Sequence, residues 1–243
     1  MDRLSYLLKS FLPFYVLTFL SCKSNIDTKN VFEKALKSDS LSYYFPSILN
    51  DTFERRNSSH KDFEQNWYSS SLYSLKEPIL FTKTDSVTIY RLLWLRSFDK
   101  PVCIVVKEFN GNYFINAKTI DRQPNFYPYV ECKSRNEITG KQIFDTIQKA
   151  DRFALIDFDR TKVMTNGKWK EIQIYLSKID FWNSPISDPN DDGSMDGSNW
   201  ILEGRKNGKY HFIIRRNARD DLKELGKKLV KWSEVEIKDK SFY

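Results

Sequence analysis

In the segment DPNDDGSMD, Asp188, Asn190 and Asp192 stand at alternate positions before Gly193, with Ser194 and Asp196 following. Oxygen ligands on alternate residues and a glycine at the sharp turn are what a calcium loop requires, so these five side chains form a candidate calcium site. The twelfth position falls on Asn199 where such loops carry a bidentate glutamate, and the same stretch also reads as an acidic turn ahead of a hairpin. Apart from calcium no cofactor is expected. Asp157 and Asp159, in LIDFDR, would share one face of a strand. Paired carboxylates can divide acid and base roles, but without a partner base this pair reads as the solvated side of an edge strand. His60 and His211 are the two histidines, and no Cys/His spacing suits zinc. A Gly-x-Ser-x-Gly elbow, a phosphate loop and a dinucleotide fingerprint are all missing. No residue is assigned a catalytic role.

The hairpin downstream allows geometry to be read directly. Asn207-Gly208 is a strong two-residue turn signal between Trp200–Arg205 and Lys209–Arg215. Such a turn sets Lys206 opposite Lys209, Gly204 opposite His211, Leu202 opposite Ile213 and Trp200 opposite Arg215. One face then carries Trp200, Leu202, His211, Ile213 and Arg215, and the other carries Glu203, Arg205, Tyr210 and Phe212. Glu203 and His211 therefore cannot form an acid/base dyad within the hairpin. Trp200 and Arg215 can stack, and with His211 they form the best contact surface the sequence offers. The plainer alternative is a packed hairpin with aromatic ladders.

The elements that must position these residues follow from periodicity. Val31–Leu36 and Phe63–Leu75 read as helical, the second through Phe63, Trp67 and Leu75, with Pro78 as its stop. Val87–Arg96, Val102–Phe109 and Tyr113–Ile120 read as three antiparallel strands, the last two joined at Asn110-Gly111. Thr139 with Gln142 is a capping box that opens an expected helix with Ile143, Phe144, Ile147 and Ala150 as its apolar stripe. Alternation of Ile172, Ile174 and Leu176 suggests a strand over Lys170–Ile179. A final helix over Arg219–Trp232 would bury Leu222, Leu225 and Leu229, with Asp220 and Asp221 at its positive end and Lys227, Lys228 and Lys231 at its negative end. The expected fold class is α+β: a single domain, an antiparallel sheet of about five or six strands, and helices packed against it.

Composition agrees with such a domain. Hydrophobic residues make up 40% and charged residues 29% of 243 positions, which excludes wholesale disorder. Eighteen Phe and 13 Tyr point to a ring-rich core. Lys and Arg, in excess by a net charge of +7, are scattered among 32 acids, so no nucleic-acid arm exists and no nucleic-acid partner is expected. Anionic headgroups or an acidic partner suit that basic surface better.

The amino-terminal residues explain why a membrane enters the argument. Arg3 and Lys9 flank a short region, and Phe11–Leu20 supply ten mostly apolar residues, too few for the roughly 20 that a membrane-spanning helix needs. A basic start, a short apolar centre and a small residue before the cut are the proportions of a secretory leader. Phe19-Leu20-Ser21-Cys22 resembles the lipobox of bacterial lipoproteins, departing from it at Phe19, where Leu is usual. That resemblance implies diacylglycerol on the Cys22 thiol, cleavage just before it and an acylated new amino terminus. Two or three acyl chains at about 0.8 kcal/mol per methylene anchor stably where one does not. Three regions result: a leader over residues 1–21, a lipidated Cys22 with a polar tether to residue 50, and an α+β domain over residues 51–243. Lys23 after the cysteine, by similarity to the sorting rule of enteric bacteria, implies the outer membrane of a Gram-negative envelope, facing the periplasm. An exported location permits a disulfide between Cys103 and Cys132, although Cys103 in the apolar run Val102–Val106 equally suits a free buried thiol.

A second likeness lies near the carboxyl end. Asp196, Gly197, Ser198, Trp200, Glu203, Gly204, Gly208, Tyr210, His211 and Arg215 match a pattern, DGSxWxxEG followed by GxYHxxxR, that resembles one in uncharacterised exported or lipid-anchored bacterial proteins. It implies a shared fold and no activity. The expected function is that of a lipid-anchored envelope protein that binds a partner, a protein among them, without catalysis. An anchored immunity-type protein against a toxin and an envelope hydrolase are the alternatives.

Overall fold

The computed structural model describes residues 44–45, 67–82, 87–124, 154–189 and 197–237, and the backbone of 130–135 and 142–146. Cys22, the tether, and Asn190, Asp192, Ser194 and Asp196 of the expected calcium loop lie outside the described residues, as does the expected helix over 31–36.

Strand β1 (Thr88–Arg96) is buried along its whole length, and its sequence TIYRLLWLR is apolar on both alternating faces apart from Arg91 and the two ends. A strand of that composition must be covered on both sides. It lies inside a six-stranded antiparallel sheet of order β6-β3-β2-β1-β7-β8, built with β2 (Val102–Phe109), β3 (Asn112–Ile120), β6 (Ile156–Met164), β7 (Ser198–Lys206) and β8 (Lys209–Arg216). The α+β fold class is as expected. Both Asn-Gly turns place Asn and Gly at positive φ, 51° and 74° at Asn110-Gly111 and 51° and 76° at Asn207-Gly208, the conformation that matches strand twist in a two-residue hairpin.

One sheet face packs Tyr90, Leu92, Trp94, Ile104, Trp200 and Leu202 beneath helices α2 (Asn166–Lys178) and α3 (Asp220–Ser233). The opposite face packs Ile89, Leu93, Val105, Ile201 and Phe212 beneath Tyr44, Phe45 and the helical residues 67–74, here α1. Cys103 is a free, buried thiol on this second face, and burial pushes its pKa up, keeping it protonated and inert. No described helix is long and apolar enough to cross a membrane.

Two elements differ from expectation. Residues 166–178 are helical where a strand over Lys170–Ile179 was expected. Trp169, Ile172 and Leu176 are buried at helical spacing while Ile174, the middle of the apparent alternation, is 55% exposed. Thr165 caps the helix by accepting a hydrogen bond from the Lys168 amide at 3.3 Å. Likewise β5 (Gln142–Thr146) is a strand, paired with β4 (Val130–Arg135), where a helix from Thr139 was expected. Ile143, Phe144 and Thr146 are strand formers, and pairing with a segment about ten residues upstream outweighs a local capping signal.

Helix α3 approaches the sheet closely at Gly226, where an added Cβ would collide with Cζ3 of Trp200. In an open helix Gly→Ala stabilises by about 0.5–1 kcal/mol. Here Gly226→Ala is expected to destabilise by about 1–3 kcal/mol through overpacking, read as a lower urea midpoint.

Candidate functional site

Hairpin β7–β8 has the register that its turn dictates: Lys206 opposite Lys209, Gly204 opposite His211, Leu202 opposite Ile213, and Trp200 opposite Arg215. The two faces also divide as expected, with Glu203 turned away from His211. Trp200, however, is 0% exposed, sealed between Trp94 at 4.9 Å and helix α3. Its indole N–H donates to Ser198 at 2.9 Å. The expectation of a contact surface centred on Trp200 is thereby corrected: the tryptophan belongs to the core, because α3 folds over this face.

His211 and Arg215 remain partly exposed and do a different job. The segment after α2, residues 181–188, runs along the outer side of β8 as a strap. Its Ile186 carbonyl accepts from the Ile214 amide at 2.6 Å, and Ser187 bridges Ile214 in parallel. Nε2 of His211 lies 3.0 Å from the Ser184 carbonyl oxygen, which can only accept, so Nε2 carries the proton. Arg215 donates Nη1 to Ile186 O at 3.0 Å and to Ile214 O at 2.8 Å, and Nη2 to Pro185 O at 3.0 Å. Partial burial lowers the pKa of His211; the hydrogen bond to Ser184 opposes this, and the Arg215 charge adds to it.

Two cavities flank the strap. The first, about 580 Å³, gathers Arg215, Arg216 and Arg219 with Asp188, Asp220 and Asp221, so its charges largely cancel. The second, about 540 Å³, lies between the strap and the β7–β8 turn, lined by Trp182, Asn183, Lys206, Lys209, Tyr210 and His211. Its described lining holds no carboxylate. The described residues contain no group of three or more His, Cys, Asp or Glu arranged for a metal ion. Of the expected calcium ligands only Asp188 is described, and it lies close enough to Arg215 to interact with it electrostatically.

Asp157 and Asp159 lie on β6, at one edge of the sheet as expected, and both are engaged. Asp157 pairs with Lys100, and Asp159 accepts from Asn116 Nδ2 at 2.7 Å. No base stands beside them.

A buried ionic network on the second sheet face was not foreseen. Arg91 on β1 and Glu203 on β7 are direct cross-strand partners, both 0% exposed, joined through Nε and Nη2 at 2.6 Å. Tyr210 donates its hydroxyl to Glu203 Oε1 at 2.9 Å, while Arg91 Nη1 donates to Pro78 O at 2.7 Å. Glu77 lies 3.7 Å from Arg91 and 2.7 Å from Lys118, which also reaches Leu75 O. Burial opposes the charge on Arg91, but Glu203 and Glu77 outweigh it and hold the guanidinium protonated. The signal in the sequence was an arginine within the apolar run of β1 and a glutamate directly after Trp200-Ile201-Leu202 in β7. The network fixes residues 75–78 to the sheet.

No family model, curated protein or solved structure matches the chain.

Two measurements check these roles. Glu203→Gln strands the Arg91 charge and is expected to cost about 3–5 kcal/mol in chemical unfolding, whereas the double variant R91M/E203L recovers most of that loss. For His211, whose folded pKa lies below its unfolded value, stability is full above the unfolded pKa near 6.5 and falls as pH drops through the folded value, because the unfolded chain binds the extra proton. His211→Gln is expected to flatten the melting temperature between pH 7 and pH 5 relative to the parent.

Proposed function

We propose that the chain is a lipid-anchored protein of the Gram-negative cell envelope, held through Cys22 in the outer membrane, and that it acts by binding a partner rather than by catalysis. The anchor reading rests on the lipobox-like residues Phe19–Cys22 and on Lys23 after them. The observation that carries the binding reading is the cavity beside the strap. There the Trp182 ring, an imidazole and two lysines converge, and the described lining holds no acid to serve as a catalytic partner for His211. An acid/base pair with that histidine would need a carboxylate within reach, and Glu203, the acid nearest in sequence, is committed to Arg91 on the other sheet face. The proposed contact surface is therefore His211 with Trp182, Lys206 and Lys209.

Mass spectrometry of the mature protein from native membranes is expected to find Cys22 as the first residue, carrying two or three acyl chains. Cys22→Ser should leave the protein in the soluble fraction after lysis. An unmodified thiol, or membrane retention of that variant, would overturn the anchor.

A further inference from the structure

The cavity between the strap and the β7–β8 turn selects a chemistry. Its volume of about 540 Å³ is of small-ligand size. Trp182 is partly exposed, and its ring is held edge-on by Phe181 at 5.0 Å and Tyr90 at 6.3 Å, so it is a fixed platform. His211 stands 6.5 Å from it. Lys206 and Lys209 are exposed and directly opposed across the hairpin, an arrangement that is repulsive until something negative lies between them. Neither has an ion-pair partner among the described residues. The nearest hairpin acid, Glu203, faces the other side of the sheet and is bound to Arg91. Asn207 adds an amide donor and acceptor to the lining, and Asn183, whose Nδ2 donates to Asp180 at 2.8 Å, adds its amide oxygen.

We propose that this cavity binds an acidic saccharide, with a sugar ring against Trp182 and its carboxylate or phosphate group between Lys206 and Lys209. The proposal rests on the reading of the chain as an envelope binding protein and names the ligand class for that same site. The C–H face of a pyranose is apolar and weakly positive, which complements the negative face of an indole. The anionic group relieves the lysine–lysine repulsion, and ring hydroxyls find partners in the two asparagine amides. A neutral sugar leaves the lysines uncompensated, and a plain hydrophobic anion offers the amides no partner.

Isothermal titration calorimetry on the full chain in detergent tests this with trigalacturonate, mannose 6-phosphate, maltotriose and AMP. Saturable binding of trigalacturonate or mannose 6-phosphate is expected, weakening as salt rises, and the tighter of the two identifies the acid group. Maltotriose should bind at least about tenfold more weakly, and the K206Q/K209Q variant should lose roughly tenfold in affinity with a melting temperature no lower than the parent's, since both positions are exposed and the two charges repel. Trp182→Ala should lose about tenfold as well, and Trp182→Phe, which keeps a ring in the packing, about threefold. Equal binding of maltotriose, tighter binding of AMP, or parent affinity in K206Q/K209Q would overturn the saccharide. If no saccharide binds but membrane proteins cross-link to the parent chain and not to K206Q/K209Q, the saccharide falls and the binding reading stands. If neither is seen, both fall.

Discussion

Burial of the central strands on both faces is the constraint from which the architecture follows. Strands β1 and β7 lie between two layers, so a charge on either must be neutralised inside the protein. Arg91 and Glu203 meet that requirement by facing each other across the strand pair, and their leftover valences reach Pro78, Glu77 and Tyr210. Because Pro78 and Glu77 belong to the layer beneath the sheet, the ion pair also fixes where that layer docks. Apolar contact alone would tolerate sliding; a guanidinium that donates Nε to Glu203 and Nη1 to the Pro78 carbonyl does not.

The opposite layer is set by shape more than by charge. Trp94 and Trp200 stack in the centre, and Gly226 lets α3 come close enough to seal them. Tyr113 lies over Trp169 at 5.2 Å, tying α2 to the sheet. The chain leaving α2 then turns back along β8, where carbonyls of the strap are met by an imidazole and a guanidinium. Such hydrogen bonds, those of Arg215 charge-assisted, hold the segment in place, and among the described residues the lysines of the adjoining turn have no counter-charge.

Much of the strand order was legible because strong local rules govern it. Asn110-Gly111 and Asn207-Gly208 fix register through turn geometry, so the pairing of His211 with Gly204 and of Trp200 with Arg215 could be written down in advance. The α3 stripe of Leu222, Leu225 and Leu229 was equally plain. What could not be read depended on distant chain. Ile172, Ile174 and Leu176 alternate like a strand, and only the burial of Trp169 one turn earlier exposes the helical period. The fate of Trp200 turned on a glycine 26 residues later, and the duties of His211 and Arg215 on carbonyl groups of a strap with no sequence signature. Arg91 and Glu203 stood in plain sight as charges within or directly after apolar runs, but pairing β1 with β7 requires the topology.

The strap also bears on how the molecule keeps to itself. A sheet offers its unpaired rim to any passing chain, and here residues 186–187 already occupy part of the rim along β8. On the far rim, β6 bears Asp157, Asp159, Arg160 and Lys162 in close succession, several of them tied to neighbouring elements. A sheet whose one margin is partly occupied and whose other is crowded with charge resists adding its edge to copies of itself.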